Sequence, residues 1–352
     1  SPTVAFLKEG PFVQEVAERG VPIIQLSESP RLRQVWGWRR AIEEITQTIH
    51  DVECDLLQAN GEKMSVLAGR AAKAAGIPSI SWLQDSPGAG GIGGRLTQRA
   101  LSRTPLGKVV VCASWMQEEF EKEVGLRSSV IVSGCEIEGL PDPNDPAVTM
   151  IKQQMGWPPD SLVLGHFARL QRWKGTDTFL KASAIVRRKH PQARFLVVGD
   201  ALFGRETQYA DELRNLAREL GLDGHVCFTG FRDDALQVMA GTDIVVHCST
   251  KPDPFPTVVL EGMAMAKPVI ASRSKGPEES LVDGLTGRLY PPGDAESLAA
   301  IMDELISSPV LRSDLGTEAA AAVRNHFTAD RMARQFEDMY RSLVKSARAG
   351  AL

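Results

Sequence analysis

No apolar run in this chain approaches about 20 residues, so no segment is built to cross a bilayer as a helix. Cysteine is scarce. Cys54, Cys112, Cys135, Cys227 and Cys248 are odd in number, widely spaced, and form no Cys-x-x-Cys pair. That argues against a disulfide framework or a zinc site and for a reducing compartment. Most of the five read as small residues of buried strands. Charge of one sign is also lacking. With 40 Lys and Arg against 44 Asp and Glu, the net charge is −4, which gives no general pull toward nucleic acid or an anionic membrane. No Asp-x-Asp occurs, so no carboxylate clamp on a metal ion is indicated and no metal ligand is assigned. No signal peptide is visible, and the first residue is Ser1 rather than Met.

What is present is a long alternation. Short apolar runs at 3–7, 21–26, 54–58, 78–83, 108–112 and 129–133 read as strands, and a second series follows at 162–167, 194–198, 225–229, 243–248 and 268–272. Amphipathic stretches at 10–19, 35–50, 62–75, 114–123, 176–188, 208–220, 233–240 and 257–265 read as helices between them. Strand–helix alternation implies parallel sheets with helices on both faces. The chain length of 352 suits two domains. The expected fold class is therefore α/β, with two doubly wound Rossmann-like domains facing across a cleft. The Pro-, Asp- and Gly-rich stretch 136–160 marks the break. We expect an N-terminal domain at 1–140, a linker at 141–160, a C-terminal domain at 161–327, and a final helix within 328–352 that packs back toward the N-terminal domain. Ligands of such folds sit at the carboxyl ends of the strands.

The stretch CSTKPDPFPTVVLEGMAMAKPVIAS, 248–272, carries two carboxylates eight residues apart. Three prolines stiffen a turn around Asp253, and Pro256 suits the first position of the helix that follows. That helix is apolar nearly all round, yet holds Glu261. A buried carboxylate is costly unless it gains hydrogen bonds or a cation. The vicinal hydroxyls of a ribose would supply two donors to Glu261, and Asp253 could accept from a second polyol such as a sugar. A purely structural carboxylate, capping a loop or pairing with an Arg, is the alternative. A second stretch, GHFARLQRWKG at 165–175, places Arg169 and Lys174 on one loop at a strand's end, just before a helix start near Thr176. Two cations and a helix N-terminus suit a diphosphate. Cations on one loop and hydroxyl acceptors on another make a more specific pattern than either alone.

These stretches, with RFLVVGD, VCFTGFRDD and SRSKGPEESLVDGLTGRLYPPGD in that order, resemble the family 4 glycosyltransferases, retaining enzymes of the GT-B fold. The likeness is close over about 160–325 and loose over 1–140. It implies that Arg169 and Lys174 grip the donor diphosphate and that Glu261, the second acid of the E-x7-E motif, binds the ribose. It implies that Asp253, one methylene shorter than the usual Glu, contacts the donor sugar. Phe255, Pro256 and Thr257 match the turn whose backbone meets the donor. Gly230, Phe231 and Arg232 match the segment lining the nucleobase, and Gly199 and Asp200 a strand-end loop facing the donor. Lys275 stands where the family often has Gly, and reads either as a third cation or, preferably, as solvated. Similar enzymes open with a strand and a Gly-rich loop, and the resemblance implies that Ser1 onward corresponds to their second strand. The histidines common after the strands near 58 and 83 are absent; Gln58, Asn60, Trp82, Gln84 and Asp85 stand there.

The function implied is transfer of a sugar from a UDP- or GDP-sugar to an acceptor hydroxyl with retention, by a front-face route, in polysaccharide or glycoconjugate synthesis. It needs no cofactor beyond the nucleotide-sugar donor, takes a sugar or a lipid-linked acceptor, and involves no nucleic acid. The setting implied is the cytoplasm, either free or peripheral at the inner face of the membrane. The rivals are a degenerate nucleotide-sugar-binding protein without transfer activity and a GT-B epimerase or phosphorylase. The stretch RLRQVWGWRR, 31–40, with four Arg and two Trp, suits a membrane interface, although Val35, Trp38, Ile42, Ile45 and Ile49 also follow the spacing of an ordinary core face. The glycine-rich 86–94 reads as a plain loop, or as a mobile acceptor loop. His166 and His247 end buried-looking strands, and His166 is the candidate for touching a donor.

Overall fold

The computed structural model describes all residues except 28–34, 86–90, 143–144, 146–147, 149, 202–205 and 351–352. The chain forms two compact units, Ser1–Ile131 with Gln335–Leu352, and Val132–Arg334. The stretch 136–160 therefore belongs with the second unit, and the last helix begins in one unit and ends in the other.

In the first unit, β1 (Val4–Phe6) pairs with β2 (Ile23–Gln25), and β3 (Leu57–Asn60), β4 (Ser79–Leu83), β5 (Lys108–Val111) and β6 (Ser129–Val130) form a second parallel sheet in that order. The helices are α1 (Pro11–Glu18), α2 (Val35–Asp51), α3 (Glu62–Ala75), α4 (Gly91–Leu101) and α5 (Ser114–Val124). On α2 the expected core face is present: Ala41, Ile45 and Ile49 are buried with Leu67 and Ala71 of α3, and Trp38 and Ile42 pack beside them. Trp36, by contrast, stands 78% exposed. Two expectations need correction. The strand expected at 54–58 lies at Leu57–Asn60, because Cys54 N–H closes onto Ile49 O at 2.9 Å and belongs to the end of α2. The glycine run expected as a loop becomes the first turn of α4 from Gly91 on; 86–90 lie outside the described residues. Gly94, Thr97 and Leu101 are buried at helical spacing, and packing of that face outweighs glycine's poor propensity, about 1 kcal/mol per residue.

The second unit holds a six-stranded parallel sheet: β7 (Leu162–Phe167), β8 (Ala193–Val198), β9 (Val226–Gly230), β10 (Ile244–His247), β11 (Val269–Ser272) and β12 (Arg288–Tyr290). Their spatial order is β12-β11-β10-β7-β8-β9. The chain runs outward from β7 to β9, returns to the other side of β7, and runs outward again. This is the Rossmann order, and its switch point lies between β7 and β10, where Val246 pairs with His166. The central strands are buried throughout, as a sheet covered on both faces requires. Helices α6 (Ile151–Gln154), α7 (Thr176–Lys189), α8 (Thr207–Glu219), α9 (Ala235–Ala240), α10 (Thr257–Ala264), α11 (Gly276–Ser280), α12 (Ala295–Ser307) and α13 (Pro309–His326) complete the unit. β12 and α11 to α13 lie outside the expected elements, although Asp294 and Ser308 cap α12 and α13 through Ser297 N–H at 2.9 Å and Leu311 N–H at 3.2 Å. In α14 (Ala329–Arg348), Tyr340 donates to Gln58 at 2.5 Å and Phe336 meets Trp82 edge-on at 5.0 Å, both within the first unit.

Candidate donor site at the switch point

Two loops leave the sheet side by side at the switch point. After β7 the chain passes Arg169, makes one 3-10 turn at Arg172–Lys174, and enters α7. Gly175 joins turn to helix at φ +68, and a Cβ there would lie 1.9 Å from Cys248 O. Only glycine allows both the left-handed backbone and that approach. After β10 the chain makes the proline turn and enters α10 at Thr257, with Pro256 capping the helix rather than forming its first residue. Thr250 N–H bonds Trp173 O at 2.7 Å and laces the two loops together.

That lacing brings Lys174 Nζ to 2.6 Å from Asp253 Oδ2, with side chains only 15% and 6% exposed. Ser249 Oγ donates to the same oxygen at 2.7 Å, and His247 Nε2 lies 2.9 Å from it. Burial alone would raise the Asp253 carboxyl; the hydrogen bond from His247 and the charge of Lys174 outweigh it and hold the carboxyl well below its usual range. Lys174 is shifted the other way from comfort. Burial lowers it, Asp253 returns only part, and Arg169 lowers it further. Asp253 is thus the member whose charge the site favours, while burial works against the charge of Lys174. Arg169 is exposed, and its guanidinium makes no hydrogen bond or ion pair among the described residues.

Glu261 is half-buried on α10. Burial raises its carboxyl, a hydrogen bond from Thr257 offsets this in part, and no ion pair reaches it among the described residues. Neither structural role open to it in the sequence, an Arg partner or a capped loop, is present among those residues. Gly199 N–H bonds Gly230 O at 2.9 Å, and a Cβ on Gly199 would lie 2.0 Å from Ala168 O, so the β8 and β9 ends abut the Arg169 loop. Phe231 is 61% exposed, whereas Arg232 is committed to Asp234. Asp200 turns its carboxylate back onto Ala201 N–H at 2.7 Å. The Phe255 side chain is buried against Phe327, 5.9 Å between centroids, so its ring is not offered to a ligand.

Two expectations about nearby residues are overturned. His166 is a core residue: Nδ1 donates to Val246 O at 3.0 Å, Nε2 takes Thr176 Oγ1 at 3.2 Å, and burial lowers its pKa to about 4. It has no atom left for a donor. Lys275 is half-buried rather than solvated. It occupies the centre of a γ-turn at φ 70, ψ −68, closed by Gly276 N–H to Ser274 O at 3.0 Å. Its neighbours pin Asp253, whose N–H bonds Ser274 O at 2.9 Å and whose carbonyl accepts from Gly276 N–H at 3.1 Å. A non-glycine residue there costs about 1 kcal/mol or more. Lys275→Gly is therefore expected to unfold at higher temperature than the parent by about 1 kcal/mol in stability. Lys275→Ala, which keeps the strain, is expected to show no gain in the same melt.

The sequence gives no sign of Glu62, the first residue of α3. Burial, then the charges of Asp85 and Glu123, push its carboxyl from 4.5 up to about 7. Between those values the folded chain binds more protons than the unfolded one, so stability falls as pH rises through that window. Glu62→Gln is expected to melt above the parent at about pH 8 and level with it at about pH 5; equal melting at both would remove the assignment.

Fold and strand-end chemistry together define a class: a parallel α/β protein with cations and hydroxyl acceptors gathered at a Rossmann switch point. The family model described as Glycosyl transferases group 1 matches residues 148–322. The crystal structure of Alr3699/HepE from Anabaena, in complex with UDP and glucose, superposes with a TM-score of 0.86 at 30% identity, covering 97% of this chain and 92% of that one. The lipopolysaccharide core biosynthesis glycosyltransferase LpsE of Rhizobium meliloti (strain 1021) is 26% identical over 95% of this chain and 94% of its own length. A D-inositol 3-phosphate glycosyltransferase of Corynebacterium kroppenstedtii is 29% identical over 63% of this chain, which spans only 51% of that relative. This chain belongs to the group 1 glycosyltransferases, of GT-B fold.

Proposed function

We propose that this chain is a retaining glycosyltransferase that moves a hexosyl group from a UDP-sugar to an acceptor hydroxyl in the synthesis of a lipopolysaccharide or related polysaccharide. The observation that carries the proposal is the split of labour at the switch point. Arg169, uncommitted among the described residues, and Lys174, paired with Asp253, supply cations for an anion, and Glu261 supplies an acceptor for hydroxyls, with exposed Phe231 beside the β9 end. Diphosphate departs as positive charge grows at the anomeric carbon. Arg169, Lys174 and the N-terminus of α7 stabilise that leaving group. Glu261 accepts from the ribose hydroxyls, Asp253 from the sugar, and Phe231 offers a stacking face to the base. UDP rather than GDP is favoured because HepE is crystallised with UDP and with UDP-glucose. The five free cysteines support a reducing, cytoplasmic setting. Exposed Trp36, one helical turn from exposed Arg39 and Arg40, supports peripheral contact with a membrane carrying a lipid-linked acceptor.

The test is a panel of UDP-glucose, UDP-galactose and GDP-mannose with candidate acceptors, following nucleotide release and assigning the product anomer by NMR. The proposal expects release from a UDP-sugar and an α-linked product from an α-linked donor. An inverted anomer would refute the retaining reading, and donor binding without transfer would leave a nucleotide-sugar-binding protein.

A further inference from the structure

We propose that His247 and Ser249 are positioning residues that lock Oδ2 of Asp253 so that Oδ1 alone is presented to the donor sugar. The proposal rests on the transferase reading above and deepens it. Three donors converge on one carboxylate oxygen: Lys174 Nζ at 2.6 Å, Ser249 Oγ at 2.7 Å and His247 Nε2 at 2.9 Å. Ser249 Oγ also lies 3.0 Å from His247 Nε2.

The protons can be assigned. An ionised Asp253 only accepts, so Nε2 must carry its hydrogen, shared between Oδ2 and Ser249 Oγ, and the serine hydroxyl must donate to Oδ2. Nδ1 of His247 is buried and has no partner among the described residues, so a second proton on the ring would have no acceptor there. The imidazole is therefore a neutral donor that fixes the carboxylate without cancelling its charge. Lys174 uses one of its three N–H groups on Asp253 and lies over the Trp173 ring at 4.1 Å, so its ammonium still has donor capacity for a diphosphate.

Oδ2 is saturated. Oδ1 accepts no hydrogen bond from the described residues and is not sealed from solvent. The backbone of Asp253 is pinned on both sides, by Ser274 O at 2.9 Å and Gly276 N–H at 3.1 Å. A short side chain on a fixed backbone, with one oxygen occupied, leaves a single acceptor with a single direction. Such an acceptor reads the orientation of a sugar hydroxyl. Nucleotide binding, through Glu261, Phe231, Arg169 and Lys174, shares Lys174 with this network but uses neither His247 nor Ser249.

The experiment measures kcat/KM for UDP-glucose and UDP-galactose, and the Kd of UDP, for the wild type, Ser249→Ala and His247→Gln. Glutamine's amide nitrogen can stand in for Nε2, so His247→Gln serves as the conservative partial rescue. The expected result is a Kd for UDP within about twofold of wild type in both variants. Ser249→Ala is expected to lose about tenfold or more in kcat/KM for the preferred sugar, with a smaller ratio between the two epimers, and His247→Gln to lose less. If UDP and UDP-sugar weaken alike, the network is merely structural and the proposal falls. It falls equally if neither changes. A wild type that binds no UDP overturns the transferase reading and the positioning role together. Ser249→Ala removes one hydroxyl, and decides the matter alone if His247→Gln does not fold.

Discussion

Glu261→Gln is expected to melt at a higher temperature than the parent while binding UDP about 10- to 100-fold more weakly. The two effects have one cause. Without nucleotide, Glu261 is a half-buried carboxylate raised by burial, helped only by Thr257 and by no cation among the described residues. Such a group destabilises the fold that holds it, and a neutral isostere relieves it. On the proposed function, the same carboxylate receives two ribose hydroxyls when nucleotide binds, and a charged hydrogen bond is worth about 1.5–3 kcal/mol. A variant that melts lower and binds UDP as the parent does would show Glu261 to be a structural carboxylate. Thermal melts in the presence and absence of UDP give both readings on one sample, because a ligand of the native state alone raises the melting temperature.

Lys174→Met is expected to lower stability by about 3–5 kcal/mol and turnover by roughly 100-fold or more. The stability effect follows from burial. Asp253 would keep its charge with only neutral donors, at a place where its side chain is 6% exposed. Adding Asp253→Asn removes that stranded charge, so the double variant is expected to recover most of the stability. It is not expected to recover turnover, because both the diphosphate cation and the sugar acceptor are then gone. The coupling is read from a double-mutant cycle in urea, and additive losses would mean that the 2.6 Å contact contributes little.

The sequence is legible where pattern is local and the sheet is continuous. The runs that become β7, β8, β10 and β11 are buried on both faces, and their apolar continuity announces them. The same holds for α10, whose single acid in an apolar helix marks Glu261 without any alignment. Legibility fails for two physical reasons. One is packing that overrides propensity: α4 begins in a glycine run, and β12 is a three-residue edge strand. The other is that pairings across the fold leave no local trace. Lys174 and Asp253 lie 79 residues apart, and each is visible as a site candidate, but nothing in either stretch shows that one holds the other. Ser249 looks like any turn serine, and His247 like any strand end, until both reach one carboxylate oxygen. Lys275 misleads for a related reason, since a lysine in a polar loop reads as solvated and the γ-turn that half-buries it is set by Ser274 and Gly276. In the first unit the signal is thinner still, and the raised carboxyl of Glu62 follows from burial first and then from Asp85 and Glu123, none of which is visible in its local sequence.

The central claim is that the switch point between β7 and β10 is the site of a nucleoside diphosphate. The measurement that tests it most directly is calorimetric titration of UDP into the wild type and Arg169→Ala. Arg169 is exposed and uncommitted among the described residues, so its loss is expected to leave the melting temperature unchanged. The account predicts one site in the wild type and about 10- to 100-fold weaker binding in Arg169→Ala. Equal affinity in the two proteins, or no binding of UDP to the wild type, would contradict it.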